Sequence, residues 1–222
     1  MTKALLASVE VATGPNPTAS VIWLHGLGAD GHDFEPAVPQ LARPGARPLR
    51  FVFPHAPIRP VTLNGGMPMR AWYDITQLNR LATEDESGVR SSDAAVRALI
   101  RRENERGVSS ENIVLAGFSQ GGAMALYCGT RLPEKLAGII GLSCYMPIAA
   151  AFAAERQMAN ATTPIFLAHG SIDMVVGLPL GEAARTLLLA SGYAVEWHTY
   201  PMGHGVCPEE LSAIAAFLRR VI

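Results

Sequence analysis

Short apolar runs recur along the whole chain, and most of them are continuously apolar instead of alternating with polar residues. They occupy residues 21–24, 49–53, 113–116, 139–142, 165–168 and 194–200. A continuous apolar run of this length is typical of a strand that is covered on both faces. The pattern therefore predicts a set of buried strands.

Between these runs, apolar residues return at helical spacing. One such segment, 89–103, stops near Gly107, and glycine often follows the end of a helix. Strands that alternate with helices predict a mainly parallel sheet, whose working site lies at the carboxyl ends of the strands. Further helices are expected from just after Ser119 to Arg131, over 180–190 and over 209–218.

Length and composition indicate one domain. The chain has 222 residues, of which 49% are hydrophobic and 17% charged, and this length suits one α/β domain or at most two small ones, so we expect one domain with a sizeable core over residues 1–222. The stretch 54–80 is rich in Pro and Gly and fits no element. Because long loops in compact domains are often functional, we expect it to contribute to a substrate pocket. Its apolar side chains would line that pocket, at Met67, Met69 and Trp72.

Charge and cysteine content exclude several classes of function. The net charge is -1 and no long run of Lys or Arg occurs, so no nucleic-acid partner is expected. The start of the chain lacks the long apolar core of a signal peptide, and the uncharged stretch 137–154 is interrupted by Pro147. We expect a soluble, cytoplasmic protein without stable membrane insertion. The cysteines are widely spaced and are expected to be free thiols: Cys128, Cys144 and Cys207.

The central chemical motif is Gly117-Phe118-Ser119-Gln120-Gly121, the G-x-S-x-G pattern of a nucleophile elbow. In this turn the chain reverses sharply from a strand into a helix, and the glycines avoid collisions with both neighbours. The pattern alone would occur by chance in about one such chain in ten. Here an apolar strand leads into it and a closely packed helix start follows it, so we predict that Ser119 is a nucleophile.

A serine hydroxyl needs a base to become a nucleophile. In this type of site the acid and then the histidine follow the serine along the chain. His198 lies within a predicted strand, and His169 ends one directly before Gly170. His204 lies in a loop beyond the last strand, where a base can reach the serine, so it is the predicted base.

The acid is expected on the loop after the preceding strand, and Asp173 occupies that place. It would hold the tautomer of His204 and stabilise the imidazolium. Glu182 is the main alternative, but it lies within the predicted helix 180–190.

The developing oxyanion requires backbone N–H groups that are oriented before the reaction. One is expected from Gln120, and the other from Leu27 in the loop His25-Gly26-Leu27-Gly28. His25 is expected to form structural hydrogen bonds. The glycine spacing differs from that of nucleotide-binding loops, so no cofactor is implied. No metal site is predicted either, although several potential ligands share one loop, at Asp30, His32, Asp33 and Glu35.

Segments spread over nearly the whole chain resemble the phospholipase/carboxylesterase family, which includes acyl-protein thioesterases and small bacterial carboxylesterases. The combination of H-G-L-G with G-F-S-Q-G-G is specific to this group. The chain differs from many members of the family at two places, Ala29-Asp30 and Gly177. The first of these, Ala29-Asp30, together with W-Y-D, looks closer to the bacterial esterases. The matching segments are W-L-H-G-L-G at 23–28, N-G-G at 64–66, W-Y-D at 72–74, A-G-F-S-Q-G-G at 116–122, H-G at 169–170 with Asp173, and Y-P-M-G-H at 200–204.

The resemblance implies an α/β-hydrolase fold, with a mainly parallel central sheet and helices on both faces. It implies a Ser119, Asp173 and His204 triad that hydrolyses carboxylic esters, or thioesters, through an acyl-enzyme and without a cofactor. It also implies that the 57–73 loop helps to hold the acyl chain.

Several alternatives stay open beside this serine carboxylesterase. A lysophospholipase or an acyl-protein thioesterase would use the same triad. A hydrolase fold that only binds a ligand is disfavoured because all three triad members are present. Cys207 as a nucleophile is disfavoured by its place after the base. The apolar rim of the pocket leaves formation of a homodimer open.

Overall fold

Strands and helices alternate along the chain, as the apolar pattern predicts. The computed structural model describes residues 5–42, 47–76 and 84–222. In these residues the strands are β1 (Ser8–Ala12), β2 (Ala19–Leu24), β3 (Leu49–Pro54), β4 (Ile58–Val61), β5 (Met67–Arg70), β6 (Ile113–Phe118), β7 (Gly138–Leu142), β8 (Ile165–Gly170) and β9 (Val195–Tyr200). The α-helices are α1 (Val38–Leu41), α2 (Glu86–Glu105), α3 (Gln120–Arg131), α4 (Phe152–Glu155), α5 (Leu178–Ala190) and α6 (Pro208–Val221).

Seven of the described strands form one twisted sheet in the order β1-β3-β2-β6-β7-β8-β9. β1 runs antiparallel to β3, and all other neighbours in this sheet are parallel. The predicted mainly parallel sheet is confirmed, and each of the six predicted strands lies in it.

Both faces of the sheet are covered, which explains why its central strands are continuously apolar. In β2, Ile22 and Leu24 pack into a core that also contains Leu99 of α2 and Met124 of α3. The alternate residues of β2 point to a second core, with α1 and α6 on the opposite face. Since successive side chains of a strand point to opposite faces, one apolar run supplies both cores.

The structure corrects the description of residues 54–80 as a stretch without elements. β4 and β5 form an antiparallel hairpin in which Pro60 lies opposite Pro68. Proline cannot donate a ladder hydrogen bond, so a proline in a strand is tolerated at a sheet edge, and a two-stranded hairpin has only edges. Because prolines usually argue against strands, the sequence pattern does not predict this hairpin. Residues 77–80 of the stretch lie outside the described part.

The topology places the carboxyl ends of β2 and β6 side by side. From β2 the chain continues to β3 on one side, and from β6 it continues to β7 on the other. Ligand sites of open parallel sheets form at such a switch point, outside the carboxyl ends of the strands. The loops that follow β2 and β6 carry Leu27 and Ser119.

Within the described ranges, every helix is too short or too polar to cross a membrane.

Candidate active site

Ser119 lies at the sharp turn between β6 and α3, in a backbone conformation that L-residues rarely adopt, with φ of 55° and ψ of -120°. The turn is held by a hydrogen bond of 2.8 Å from the N–H of Ser119 to the carbonyl of Leu142. A side-chain carbon on Gly117 would overlap the main chain of Gly121, and one on Gly121 would overlap the carbonyl of Leu24. The spacing of the two glycines therefore has the steric cause that the motif predicts.

A continuous chain of hydrogen bonds joins the three predicted triad residues. His204 Nε2 lies 2.9 Å from Ser119 Oγ, and His204 Nδ1 lies 2.7 Å from Asp173 Oδ2. Because a carboxylate only accepts, the Nδ1 of neutral His204 carries the proton and Nε2 accepts from the serine hydroxyl. This is the tautomer that a general base requires. The ring of Phe118 packs beside His204, with centroids 4.8 Å apart.

The loop after β8 holds Asp173 by its other carboxylate oxygen. Oδ1 accepts from the N–H groups of Val175 and Val176, at 2.8 and 2.9 Å. His169, which is buried at the end of β8, donates from Nε2 to the carbonyl of Val176 at 2.7 Å. Oδ1 therefore fixes the carboxylate while Oδ2 faces His204. The sequence interpretation missed this support by His169, although the H-G pair at 169–170 marks the position.

The rejected alternatives lie elsewhere. His198 pairs with Glu196 at 2.9 Å on β9, and Glu182 lies in α5 as expected. Cys207 precedes α6, and partial burial raises the pKa of its thiol, which favours the protonated, weakly nucleophilic form.

The loop after β2 approaches Ser119 closely at Gly26. A side-chain carbon on Gly26 would lie 3.5 Å from Cβ of Ser119. The N–H of Leu27, in the same loop, donates to no acceptor among the described residues. The N–H of Gln120 is the first of α3, and the first N–H groups of a helix have no acceptor within it. Two unengaged donors therefore border the nucleophile.

His25 supports this loop and takes no part in the triad. Its Nδ1 donates to the carbonyl of Gly26 at 2.7 Å, and its Nε2 accepts from the N–H of Ala56 at 3.0 Å. A ring nitrogen that accepts requires the neutral ring, and burial lowers the pKa of His25 accordingly. This agrees with the structural role expected for it.

The structure gives Trp72 a different place from the predicted pocket lining. Its side chain is completely buried, and the indole Nε1–H donates to the carbonyl of His25 at 2.9 Å. A large apolar ring with one polar atom suits a buried site where that atom has a partner. Trp72 therefore supports the loop from inside the protein. Met67 is 62% exposed on the hairpin, and Met69 is half-buried beside Gly28.

Two open pockets border the residues of these loops. A cavity of 360 Å³ borders His204 and is lined by Phe34, Phe118 and Val206, among others. Another of 490 Å³ borders Gly28 and Arg70. Within the described ranges, no three His, Cys, Asp or Glu side chains are arranged to hold a metal ion.

The sequence model of the phospholipase/carboxylesterase family matches residues 7–222. The chain belongs to this family. An acyl-protein thioesterase 1 of Neurospora crassa is 46% identical over 210 residues, which cover 90% of this chain and 86% of the relative. The crystal structure of Arabidopsis thaliana SOBER1 is similar with a TM-score of 0.86 at 33% identity, covering 91% of this chain and 98% of that one. The crystal structure of esterase PE8 has a TM-score of 0.83 at 28% identity, covering 99% and 100%.

Family membership and these structures confirm the predicted α/β-hydrolase fold. The chain is a serine hydrolase, and its substrates are carboxylic esters or thioesters.

Proposed function

We propose that this phospholipase/carboxylesterase family member is a serine carboxylesterase that also accepts thioesters, with Ser119, His204 and Asp173 as its triad. The observation that carries the proposal is the uninterrupted chain of hydrogen bonds from Ser119 Oγ through His204 to Asp173. Asp173 orients the imidazole, and His204 is oriented to take the serine proton.

The reaction takes place in two halves. His204 Nε2 accepts the proton of Ser119 as Oγ attacks the acyl carbonyl, and the N–H groups of Leu27 and Gln120 donate to the oxyanion. The tetrahedral intermediate collapses, and His204 protonates the leaving alcohol or thiol. Water, deprotonated by His204, then attacks the acyl-enzyme and releases the carboxylic acid.

Met67 and Met69 are proposed to contact the acyl chain. Met69 lies close to the oxyanion loop, since a side-chain carbon on Gly28 would lie 3.8 Å from its Sδ, and Met67 lies two residues earlier on the same strand. Flexible thioether side chains adapt to apolar ligands of different shape. Leu63 on the same hairpin is 40% exposed and extends this apolar surface.

The test is labelling by a fluorophosphonate followed by intact mass measurement. We expect one adduct on the native chain and none on Ser119→Ala. Ser212→Ala is the matched control, because Ser212 is exposed on α6 and its hydroxyl donates to the carbonyl of Pro208 within the same helix. An adduct that persists on Ser119→Ala, or an unlabelled native chain, would refute the proposed nucleophile.

The second candidate is hydrolysis of acyl thioesters of protein cysteines, favoured by the name of the Neurospora crassa relative. Matched oxygen and sulfur esters of one acyl series, from short to long chains, separate the two candidates. A long-chain optimum on thioesters of cysteine peptides would support the thioesterase, and a short-chain optimum on oxygen esters would support the carboxylesterase. A long-chain optimum on lysophospholipids would support a lysophospholipase.

Three further expectations concern the domain organisation, the cellular location and the oligomeric state. We propose a single domain over residues 1–222, a cytoplasmic location, and a homodimer formed through the apolar rim of the pocket. Light scattering of the purified protein tests the dimer, which would have twice the chain mass of 23.6 kDa.

A further inference from the structure

Residues 70–73 begin at the last residue of β5. They contact the loop that carries Leu27 on both sides of the Leu27 N–H, which has no acceptor in the described part of the chain. The carbonyl of Arg70 accepts from the N–H of Gly28 at 2.9 Å, and the indole of Trp72 donates to the carbonyl of His25 at 2.9 Å. The peptide unit that presents the Leu27 N–H is thus flanked by two peptide units that residues 70–73 hold.

The same segment also holds the second proposed oxyanion donor. The N–H of Trp72 donates to Gln120 Oε1 at 2.8 Å, and Gln120 Nε2 donates to the carbonyl of Tyr73 at 2.8 Å. The carboxamide of Gln120 is only 2% exposed and uses its oxygen and nitrogen on one segment. Because two bonds hold this side chain, they also restrain the main chain of Gln120 at the start of α3.

Helix α2 and the segment before β4 hold residues 70–73 by hydrogen bonds. Ser92 of α2 donates from its hydroxyl to the carbonyl of Trp72, and both residues are buried. The N–H of Ala71 donates to the carbonyl of Pro57 at 3.0 Å. Residues 70–73 are therefore anchored to α2 and to the segment before β4, and they link two loops that are far apart in the sequence.

We propose that residues 70–73 form a bracket that sets the separation of the two oxyanion donors, with Trp72 and the Gln120 carboxamide as positioning residues. The proposal rests on the proposed function, in which Leu27 and Gln120 donate to the oxyanion. An oxyanion hole works only if its donors already stand about 2.7–3.1 Å from the place of the developing charge. Loss of the bonds at either end of the bracket lets one donor move relative to the other. A displacement of about 1 Å can cost roughly 100-fold in rate.

If residues 70–73 position the oxyanion donors, variants of the bracket should lose turnover rate, which variants of residues with a purely structural role would not. Trp72→Phe removes the indole bond to the carbonyl of His25, one of the two bonds that hold the Leu27 loop, and Gln120→Met removes both bonds of the carboxamide while keeping a similar volume. For each variant we expect kcat to fall by about 10- to 100-fold with KM nearly unchanged, since the oxyanion is absent from the bound substrate and forms only as Ser119 attacks. The inhibition constant of an alkyl trifluoromethyl ketone, whose serine adduct carries an oxyanion, should rise by the same factor.

The double variant tests whether the two ends act as one device. If the loss of either set of bonds already lets the two oxyanion donors move apart, the double variant Trp72→Phe with Gln120→Met should be little slower than the slower single variant. Two independent defects would instead multiply. Thr130→Val is the control, because it removes a buried 2.7 Å bond from the Thr130 hydroxyl to the carbonyl of Leu126 and leaves residues 70–73 and their hydrogen bonds in place. It should keep kcat and the inhibition constant.

The outcomes separate the bracket from the proposed function. Native protein that hydrolyses esters, with variants that lose thermal stability but keep kcat and ketone affinity, would overturn the bracket alone. Multiplicative losses in the double variant would also overturn it. If Trp72→Phe does not fold, the kcat and ketone affinity of Gln120→Met decide between these results. A native chain without turnover or fluorophosphonate label would overturn both proposals.

Discussion

The imidazole of His169 lies directly against the main chain of Gly181, at a point where α5 passes the end of β8. A side-chain carbon at residue 181 would overlap Nδ1 of that ring. His169 holds Val176 through Nε2, and the N–H of Val176 holds Asp173. The packing of one glycine is therefore connected to the proposed catalytic acid through two hydrogen bonds.

Gly181→Ala should disturb the acid although residue 181 does not contact substrate. The methyl group displaces the buried ring of His169, and we expect the free energy of unfolding to fall by about 1–3 kcal/mol. We expect kcat to fall by roughly 10-fold, because the Asp173 loop shifts. Gly177→Ala is the control, since a side-chain carbon there would meet only Cδ of Pro179, at 3.7 Å. An increase in stability of about 1 kcal/mol, as helix propensity alone predicts, would contradict this argument.

Asp173→Asn should leave the fold intact and remove most of the activity. The amide oxygen can still accept from Val175 and Val176 at the place of Oδ1. The amide nitrogen then faces His204 Nδ1 and donates to it, so that Nε2 carries the proton and cannot take one from Ser119. We expect kcat to fall by about 10³- to 10⁴-fold with little change in melting temperature. Retained activity would show that another group orients His204.

Gly121→Ala should test the steric basis of the elbow. The added carbon would overlap the main-chain carbonyl at the end of β2, which no change of side-chain rotamer can relieve. We expect a loss of about 3 kcal/mol or more in the free energy of unfolding, measured by urea denaturation. Gly177→Ala again serves as the control. A folded, fully active Gly121→Ala would mean that β2 and α3 can separate without cost.

Glu210 should make stability fall as the pH rises. It is completely buried in the first turn of α6, and its carboxylate oxygens make no hydrogen bond of normal geometry with a described residue. Burial raises its pKa from 4.5 to about 7, and the main chain of Cys207 only partly opposes this. The titratable groups that interact with it are Tyr200 and Cys207.

The sign follows from the two states. Between pH 4.5 and about 7 the unfolded chain loses the proton of Glu210 while the folded chain keeps it, so ionisation favours unfolding. Glu210→Gln should therefore exceed the native chain in stability by about 3 kcal/mol at pH 8, a difference that vanishes near pH 4. Glu209→Gln, at the exposed neighbouring position, should show no such pH-dependent gain. Equal stabilities of Glu210→Gln and the native chain at pH 8 would contradict the prediction.

Properties that depend on neighbours in the chain could be predicted from the sequence. The apolar runs predicted strands because a strand covered on both faces needs apolar side chains at every position, and β6 with its glycines shows both effects in one segment. The order of Ser119, Asp173 and His204 could be predicted because each follows a strand, and the carboxyl ends of parallel strands share one edge.

Strands whose residues combine apolar positions with polar residues or prolines could not be predicted from the sequence. β1 alternates apolar and polar residues as an edge strand does, so a search for continuous apolar runs does not predict it. The hairpin of β4 and β5 carries prolines, which usually argue against strands.

The sequence by itself determined the fold class, the elbow and the candidate triad. Only the tertiary structure decided which groups meet. Trp72 could be taken for pocket lining or for core because its ring is apolar and its N–H polar, and its burial depends on a carbonyl 47 residues away in the chain. The 2.9 Å between His204 and Ser119, 85 residues apart, likewise depends on sheet register and loop packing. Such contacts are absent from any local pattern, because hydrogen bonds require distances set to a few tenths of an ångström by the whole fold.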